Sequence, residues 1–396
     1  MKFILNWRQR RVFCLLTVAI LFATTACGVL AQSSEPKTPD DTEALHKAFD
    51  GVSASYRAKD YSGALKQLKN LEAMPVFAKL PADAKPGVIY TEACLYALVG
   101  DKKQAMKALR AADALGYSDY AIVSTDQDLI SLRDDPEFKQ WFAAYKAKNG
   151  PQVYQWASEK NEPAYVLKMD QTDDPKLKQL RAEFSADAAL AGAHDELDQL
   201  QRLAAWTSRQ WEHSNSESAS SDDPLTILRE AKAGGKFICM NYAVALGGEA
   251  SAYGLPARLL GLLPKGTETR MDAHSVVEVW LPDRRKWVLA DGQYGQTATV
   301  DGVPLNAVEL EDALAKDRKI QCSQAATCTE WLGFIQKYLY YFSISREQRW
   351  FESSKADQLV LMPKGAAEPK SMNGNTGVFI GAKFTSNPAV FYEPLQ

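Results

Sequence analysis

The sequence predicts an α+β protein in which a cysteine-bearing helix packs on an antiparallel sheet, with a helical domain before this core and short strands after it. Three observations support this prediction. Helical periodicity runs through residues 42–149. A second helical pattern, Ile238–Tyr253, ends at Gly254-Leu255-Pro256 and gives way to strand-like segments. From Asp357 onward, short apolar segments alternate with turn-rich ones, which is typical of β structure.

Composition limits the classes of function. The chain has 396 residues, of which 46% are hydrophobic and 24% charged, so it is an ordinary globular sequence with room for two or three domains. The net charge is −3, and we therefore expect no nucleic-acid partner. Neither a metal-ligand cluster, a phosphate-binding loop nor a dinucleotide fingerprint is evident in the sequence. We accordingly expect no metal and no cofactor.

The first residues are typical of a targeting segment. Four basic residues among the first eleven precede an apolar run over residues 12–26, which is too short to span a bilayer comfortably. We predict a signal peptide over residues 1–31. Cleavage before Cys27 would follow a lipobox-like sequence, although Thr24 stands where a Leu is usual, and would attach a lipid to Cys27. Cleavage after Ala31 would follow a small-x-small site. Both alternatives predict export to a bacterial periplasm or envelope, and the first adds membrane attachment.

The cysteines differ in context. An exported protein can form disulfides, and Cys322 and Cys328 flank a short polar loop, so we predict that they are joined. A metal pair is the alternative, but no histidine or further cysteine lies near them in the sequence. Cys94 lies on an apolar helical face and is expected to be buried. Cys239 has no obvious partner.

The helical domain, residues 42–149, contains a weak internal repeat. Segments 58–71 and 99–112 match at an offset of 41 (101 − 60), with Asp60 equivalent to Asp101 and Ala64 to Ala105. The pattern resembles tetratricopeptide repeats, whose usual period is about 34 residues. The domain could present a concave surface to a protein partner or serve as a packing module. Such arrays usually need about three units, which favours packing or docking.

A cysteine, a histidine and an aspartate follow one another in a suggestive order. Cys239 lies in the first turn of a helical pattern, where the helix dipole lowers a thiol pKa. His274 begins a strand pattern, a short turn at residues 282–285 follows, and Asp291 ends the next strand pattern. A hairpin there would place His274 and Asp291 at neighbouring strand ends. We predict Cys239 as nucleophile, His274 as base and then acid, and Asp291 as the residue that orients the imidazole.

Two further elements are expected around this core. We predict one long helix from about Pro175 to Trp211, because apolar residues recur along it at helical spacing. The aromatic segment Trp331–Ile344 is predicted as a core helix covering the sheet. The alternative for that segment is an aromatic wall beside the substrate.

Four blocks together resemble the transglutaminase-like superfamily. They are Cys239 itself, Gly254-Leu255-Pro256-Ala257-Arg258, the segment from His274 to Trp280, and Trp287-Val288-Leu289-Ala290-Asp291. The separations are 35 (274 − 239) and 17 (291 − 274) residues. Two departures stand out: Phe237 occupies the place of the family's glycine, and Ser275-Val276 follows the histidine where an aromatic residue is common.

The resemblance implies a papain-like fold and acyl transfer through a thioester, from a glutamine amide or a peptide bond to an amine or water. It also implies an oxyanion donor upstream of the cysteine, for which Gln210 and Trp206 are the candidates. We place the catalytic domain at 151–345 and a β extension at 346–396. The expected function is that of an exported cysteine enzyme acting on a peptide or protein substrate. The alternative is a non-catalytic envelope scaffold that binds peptide or protein in its cleft and through the helical repeats.

Overall fold

The structure is a computed structural model that describes residues 39–78, 80, 84–159, 164–171, 173–269, 273–352 and 357–395. The predicted signal peptide and Cys27 lie outside the described residues. The chain divides into two units between Asn149 and Gly150, and each is described by itself. Among the described helices, none combines the length and apolarity needed to cross a membrane.

The first unit is helical. Its helices are α1 (Pro39–Arg57), α2 (Tyr61–Glu72), α3 (Pro75–Ala78), α4 (Lys85–Val99), α5 (Lys102–Ala114), α6 (Tyr120–Thr125) and α7 (Pro136–Asn149), with a 3₁₀ turn at Gln127–Leu132. Helix α1 packs on α2, α2 on α4, and α4 on α5. This succession of packed helices is loosely consistent with the predicted tetratricopeptide-like arrangement.

The residues that match in the internal repeat have equivalent structural roles. Asp60 caps α2 by accepting a hydrogen bond from the Gly63 amide at 2.9 Å, and Asp101 caps α5 through the Gln104 amide at 3.0 Å. Each matched alanine is fully buried where its helix meets a neighbour. The repeat therefore corresponds to two helix starts with the same cap and the same small buried residue one turn later.

The second unit combines helices with two sheets. Its helices are α8 (Pro175–Glu183), α9 (Asp187–Leu190), α10 (Glu196–Thr207), α11 (Pro224–Lys232), α12 (Cys239–Ala252), α13 (Ala307–Ala315), α14 (Cys328–Ile335) and α15 (Pro388–Phe391). Its strands are β1 (Ala257–Leu263), β2 (His274–Leu281), β3 (Lys286–Ala290), β4 (Ala298–Val300), β5 (Val303–Pro304), β6 (Ile320–Cys322), β7 (Tyr341–Ser345), β8 (Gln358–Leu361) and β9 (Lys383–Thr385). This confirms the predicted α+β class, with a helical region first.

The larger sheet has the strand order β3–β2–β1–β7–β8–β9, antiparallel except for the parallel β8–β9 pair. The short turn at residues 282–285 joins β2 and β3 into a hairpin in which Val277 pairs with Ala290. Strands β4, β5 and β6 form a small second sheet. Because β8 pairs with β7, the C-terminal strands continue the sheet that contains the hairpin.

Both faces of the larger sheet are covered, and side chains alternate between two cores. In β2, Val277 and Val279 belong to a core with α8, α10, α11 and α12. Val276, one residue away, belongs to a second core with α13 and α14. All eight residues of β2 are buried. Since successive strand residues point to opposite faces, burial on both faces explains the nearly continuous apolar sequence of β2.

The predicted long helix from Pro175 to Trp211 is wrong, because the segment is divided into α8, α9 and α10. Helix α8 ends at Glu183, and Phe184 leaves helical geometry at φ −126° and ψ 45°. Gly192 has a φ of +77°. Asp195 then caps a new helix by accepting a hydrogen bond from the Asp198 amide. Capping interactions and turns therefore interrupt a continuous apolar periodicity.

The prediction of one helix over Trp331–Ile344 is also wrong in its second half. Helix α14 ends at Ile335, a 3₁₀ turn follows, and Tyr341–Ser345 forms strand β7. This strand hydrogen-bonds to β1 on one side and to β8 on the other. The β-branched and aromatic residues of this segment suit a strand as well as a helix, and its pairing within the sheet decides between them.

A buried ion pair ties the C-terminal segment to the sheet. Arg258 donates to Glu278 Oε2 from Nε at 3.1 Å and from Nη2 at 2.6 Å, and to the Phe391 carbonyl from Nη1 at 2.7 Å. Glu278 Oε1 accepts from the Ala307 amide and the Tyr392 hydroxyl, each at 2.9 Å. Both charged side chains are at most 1% exposed, and their charges are satisfied by these bonds.

We predict that Arg258→Leu lowers the free energy of unfolding by about 3 to 5 kcal/mol, because it leaves the Glu278 carboxylate buried without its counter-charge. Urea unfolding followed by tryptophan fluorescence measures this loss, since seven of the nine tryptophans belong to the second unit. As a matched control, Arg284→Leu breaks partly exposed pairs with Asp195 and Asp283. The control should cost under about 1 kcal/mol. Equal losses in the two variants would contradict the role given to the buried pair.

Candidate active site

Cys239 is the first residue of α12. Ile238, which precedes the helix, is extended at φ −73° and ψ 171° and gives no side-chain cap. The loop after α10 fixes the backbone just before α12 through two hydrogen bonds. The Ser214 amide donates to the Phe237 carbonyl at 3.0 Å, and the Ile238 amide donates to the Glu217 carbonyl at 2.9 Å. Phe237, which occupies the position of the glycine in the family pattern, is buried with its ring edge-on to Trp211. The bulky residue thus belongs to the core beneath the cysteine.

Small residues bring α12 close to the sheet. Ala243 and Ala250 are fully buried, and α12 packs on both β1 and β2. Gly292, which follows Asp291, passes so near the helix that a Cβ there would lie 2.7 Å from the Tyr242 carbonyl oxygen. A side chain at residue 292 would push the Asp291 loop away from the cysteine helix. Gly254, at φ +84°, ends the helical segment and turns the chain into β1.

The hairpin brings His274 and Asp291 together. His274 begins β2, Asp291 follows β3, and both side chains are at most 1% exposed. Nε2 of His274 lies 2.8 Å from Oδ2 of Asp291. The thiol of Cys239 hydrogen-bonds to the same imidazole and to the Ser275 backbone. Because Nε2 is bonded to the carboxylate, Nδ1 is the ring nitrogen available to the thiol.

Asp291 is held by four donors. Oδ1 accepts from the backbone amides of Gln293 at 2.9 Å and Tyr294 at 3.1 Å. Oδ2 accepts from His274 and from the indole Nε1 of Trp331 at 2.9 Å. This pattern satisfies a buried carboxylate and fixes its orientation toward the imidazole.

These contacts change the pKa values of both Cys239 and His274. Burial alone raises the pKa of Cys239, but the hydrogen bond and positive charge of His274 outweigh it, so the pKa lies below that of an ordinary thiol. Burial lowers the pKa of His274, but the charge and hydrogen bond of Asp291, with the Cys239 contact, raise it to about 9. Compared with an isolated cysteine and histidine, the arrangement therefore favours the thiolate–imidazolium form of the pair.

Aromatic residues enclose the imidazole. Phe334 stands edge-on to the His274 ring at 4.9 Å, and Tyr338 lies 5.9 Å from it. Tyr294 contacts Phe334 at 4.9 Å. The sequence pattern indicated an aromatic segment but not that Trp331 contacts Asp291. One feature of the sequence pointed toward this surface: Trp331 and Phe334 are three residues apart and therefore lie on one face of α14.

The other candidates lie in α10 and in the segment that follows it. Gln210 follows α10 and donates from Nε2 to the Trp206 carbonyl at 2.9 Å, and Trp206 packs partly buried against the first core. Their oxyanion role stays a prediction.

His213, which the sequence suggested to be a loop or helix-end residue, has its ring centre 6.3 Å from that of Tyr242. Burial, followed by the charge of His274, lowers the pKa of His213, so this side chain lies within electrostatic reach of His274 and Asp291.

The remaining cysteines differ from Cys239. Cys322 and Cys328 form a disulfide with their Cα atoms 5.5 Å apart. Cys94 in the helical unit is buried, its thiol donates to Asp126 Oδ2 at 3.5 Å, and burial raises its pKa well above the ordinary value.

We predict that iodoacetamide alkylates Cys239 at pH values well below the ordinary cysteine pKa of about 8.5. Peptide mapping by mass spectrometry measures the rate at each pH. In His274→Ala the two largest contributions that lower the pKa are gone, the Ser275 backbone contact remains, and burial still raises the pKa, so alkylation should shift to higher pH. Cys94 is the internal reference and should stay unreactive until the chain unfolds. An ordinary pKa at Cys239 in the unaltered chain would contradict the described electrostatics.

Comparison with known proteins agrees with this geometry. Residues 184–292, which are 109 of the 396 residues, match the model of the Transglutaminase-like superfamily. No curated protein and no solved structure matches the chain. The matched segment runs from the end of α8 through β3 and contains Cys239, His274 and Asp291. The chain therefore carries a core of the transglutaminase-like superfamily, a domain that suggests a papain-like cysteine enzyme.

Proposed function

We propose that the protein is an exported cysteine enzyme that transfers or hydrolyses acyl groups of peptide or protein amides through a thioester on Cys239. One observation carries the proposal. The Cys239 thiol at the start of α12 hydrogen-bonds to His274, whose Nε2 is 2.8 Å from the buried carboxylate of Asp291. A nucleophile, a base and an orienting carboxylate are thus consecutive members of one hydrogen-bonded chain.

The first half-reaction follows from the charges. The Cys239 thiolate attacks the amide carbonyl carbon, and a carbon–sulfur bond forms as the carbonyl oxygen takes the negative charge. The His274 imidazolium then gives its proton to the leaving nitrogen, the carbon–nitrogen bond breaks, and an amine departs. Cys239 retains the acyl group as a thioester. Asp291 stays ionised and stabilises the imidazolium while it exists.

The second half-reaction reverses these roles. Neutral His274 takes a proton from water or an incoming amine as that nucleophile attacks the thioester carbonyl. The carbon–sulfur bond breaks, and the sulfur leaves as a thiolate beside the re-formed imidazolium. Water gives a carboxylic acid and an amine gives a new amide. Water and amine compete for one intermediate, so the ratio of the two products distinguishes a hydrolase from a transferase.

We predict that the full chain either hydrolyses a glutamine-rich protein such as casein or incorporates a fluorescent primary amine into it, and that Cys239→Ala does neither. Mass spectrometry of the casein distinguishes deamidation, cleavage and amine incorporation. Cys94→Ala is the matched control, because it removes the other free cysteine of the described residues without touching the triad. Activity that persists in Cys239→Ala would contradict the proposal.

The export part of the proposal has its own test. In a bacterial expression host, we expect the mature protein to begin either at a lipid-modified Cys27 or after Ala31. Mass spectrometry of the purified N-terminus distinguishes the two, and Cys27→Ser should abolish membrane attachment only in the first case. Recovery from the cytoplasm with residues 1–31 intact would contradict export.

A further inference from the structure

We propose that Trp331 is a positioning residue for the triad: its indole N–H holds the Asp291 carboxylate in the orientation that anchors His274. This inference rests on the proposed function, because it concerns how that site is kept ready for reaction. It assigns a role to a residue that lies 40 positions after Asp291 in the sequence and outside the matched segment 184–292.

The contact itself is specific. Trp331 is fully buried, and its Nε1 donates to Oδ2 of Asp291 at 2.9 Å. The same oxygen accepts the bond from His274 Nε2 at 2.8 Å. The two backbone amides that reach Oδ1 hold one side of the carboxylate. The indole holds the other side, so rotation of the carboxylate away from the imidazole would break a buried bond to a charged group.

The position of Trp331 is in turn fixed from the Asp291 loop. Gln296 is fully buried, and its backbone exchanges two hydrogen bonds with Asp291, at 2.8 and 3.1 Å. Its side-chain amide donates to the Gln324 carbonyl and to Thr327 Oγ1, and its Oε1 accepts from the Gln324 amide. One residue therefore connects Asp291 to the loop that precedes α14.

The disulfide closes that same loop. It joins Cys322, the last residue of β6, to Cys328, the first residue of α14. Trp331 lies three residues later, within the first turn of the helix. The helix start is thus joined covalently to the small sheet and by hydrogen bonds to Gln296. Both connections fix where the indole meets Asp291, which an isolated aromatic contact would not do.

The chain offers a matched control for the indole. Trp350 is 2% exposed, and its Nε1 donates to Ser251 Oγ on the cysteine helix at 2.8 Å. It belongs to the same unit and makes the same kind of buried bond, but to a residue three turns from Cys239. Substituting either tryptophan by phenylalanine removes a buried N–H donor and part of a ring. Only the substitution at Trp331 removes a donor from the triad carboxylate.

The test is the pH dependence of Cys239 alkylation by iodoacetamide in the full chain. The alkylation rate falls as the pH is lowered, and we call the midpoint of this fall the acid limb. In Trp331→Phe we expect this midpoint to rise by about 0.5 to 1 pH unit. One charge-assisted bond to Asp291 is lost there, and the imidazolium is anchored less firmly. We expect turnover of the casein substrate to fall about tenfold in kcat, with KM unchanged. Trp350→Phe should leave the acid limb where it is in the unaltered chain.

Three results would overturn the proposal. The first is an unchanged acid limb in Trp331→Phe, which would mean that the residue acts only through packing. The second is a lower midpoint pH of the acid limb in Trp331→Phe, which would mean that the indole competes with His274 for the Asp291 carboxylate. The third is an equal rise in Trp350→Phe. If Cys239 in the unaltered chain has an ordinary pKa, the proposed function itself fails, so the two failures are distinguishable.

A measurement on the unaltered chain keeps the inference testable if Trp331→Phe does not fold. Nuclear magnetic resonance of ¹⁵N-labelled indoles follows each tryptophan N–H with pH. We expect the Trp331 resonance to shift with the same midpoint as Cys239 alkylation, because its acceptor is bonded to the titrating imidazole. The Trp350 resonance should not follow that midpoint. A Trp331 resonance that stays constant through the transition would contradict the proposed link.

Discussion

The site depends on a buried aspartate whose side chain anchors the imidazole of His274. Asp291 is fully buried, and a carboxylate in such a place is stable only if hydrogen bonds and a counter-charge replace its water. Two backbone amides, an indole and an imidazole supply them. The imidazolium is therefore stabilised by the carboxylate, and the thiolate by the imidazolium. Each charge in this series favours the opposite charge on its neighbour.

The fold brings the three segments that contain Cys239, His274 and Asp291 close enough for their side chains to interact. The short β2–β3 turn places His274 and Asp291 at one end of the hairpin. Small residues along α12 and Gly292 beside it let the cysteine helix approach that end. On the opposite face of the sheet, α14 supplies Trp331 and Phe334, whose ring stands edge-on to the imidazole. The two cores of the second unit thus support the site from both sides of the sheet.

Local patterns allowed part of this arrangement to be predicted. The break at Gly254-Leu255-Pro256 and the turn before β3 are encoded by neighbouring residues, so the helix, the strand and the hairpin were predictable. The caps that divide the segment 175–211 involve competing local signals, and continuous apolar spacing concealed them. The strand Tyr341–Ser345 and the Trp331 contact depend on pairing with distant segments, which a single sequence does not reveal.

The most direct test of the central claim needs no substrate. The ultraviolet absorbance of the thiolate can be titrated with pH in the unaltered chain, with Cys239→Ala as the blank. We predict that the difference spectrum contains a thiolate at neutral pH and loses it only under acidic conditions, and that His274→Ala removes the neutral-pH thiolate. A difference spectrum that develops only near the ordinary cysteine pKa of about 8.5 would contradict the claim that His274 and Asp291 activate Cys239.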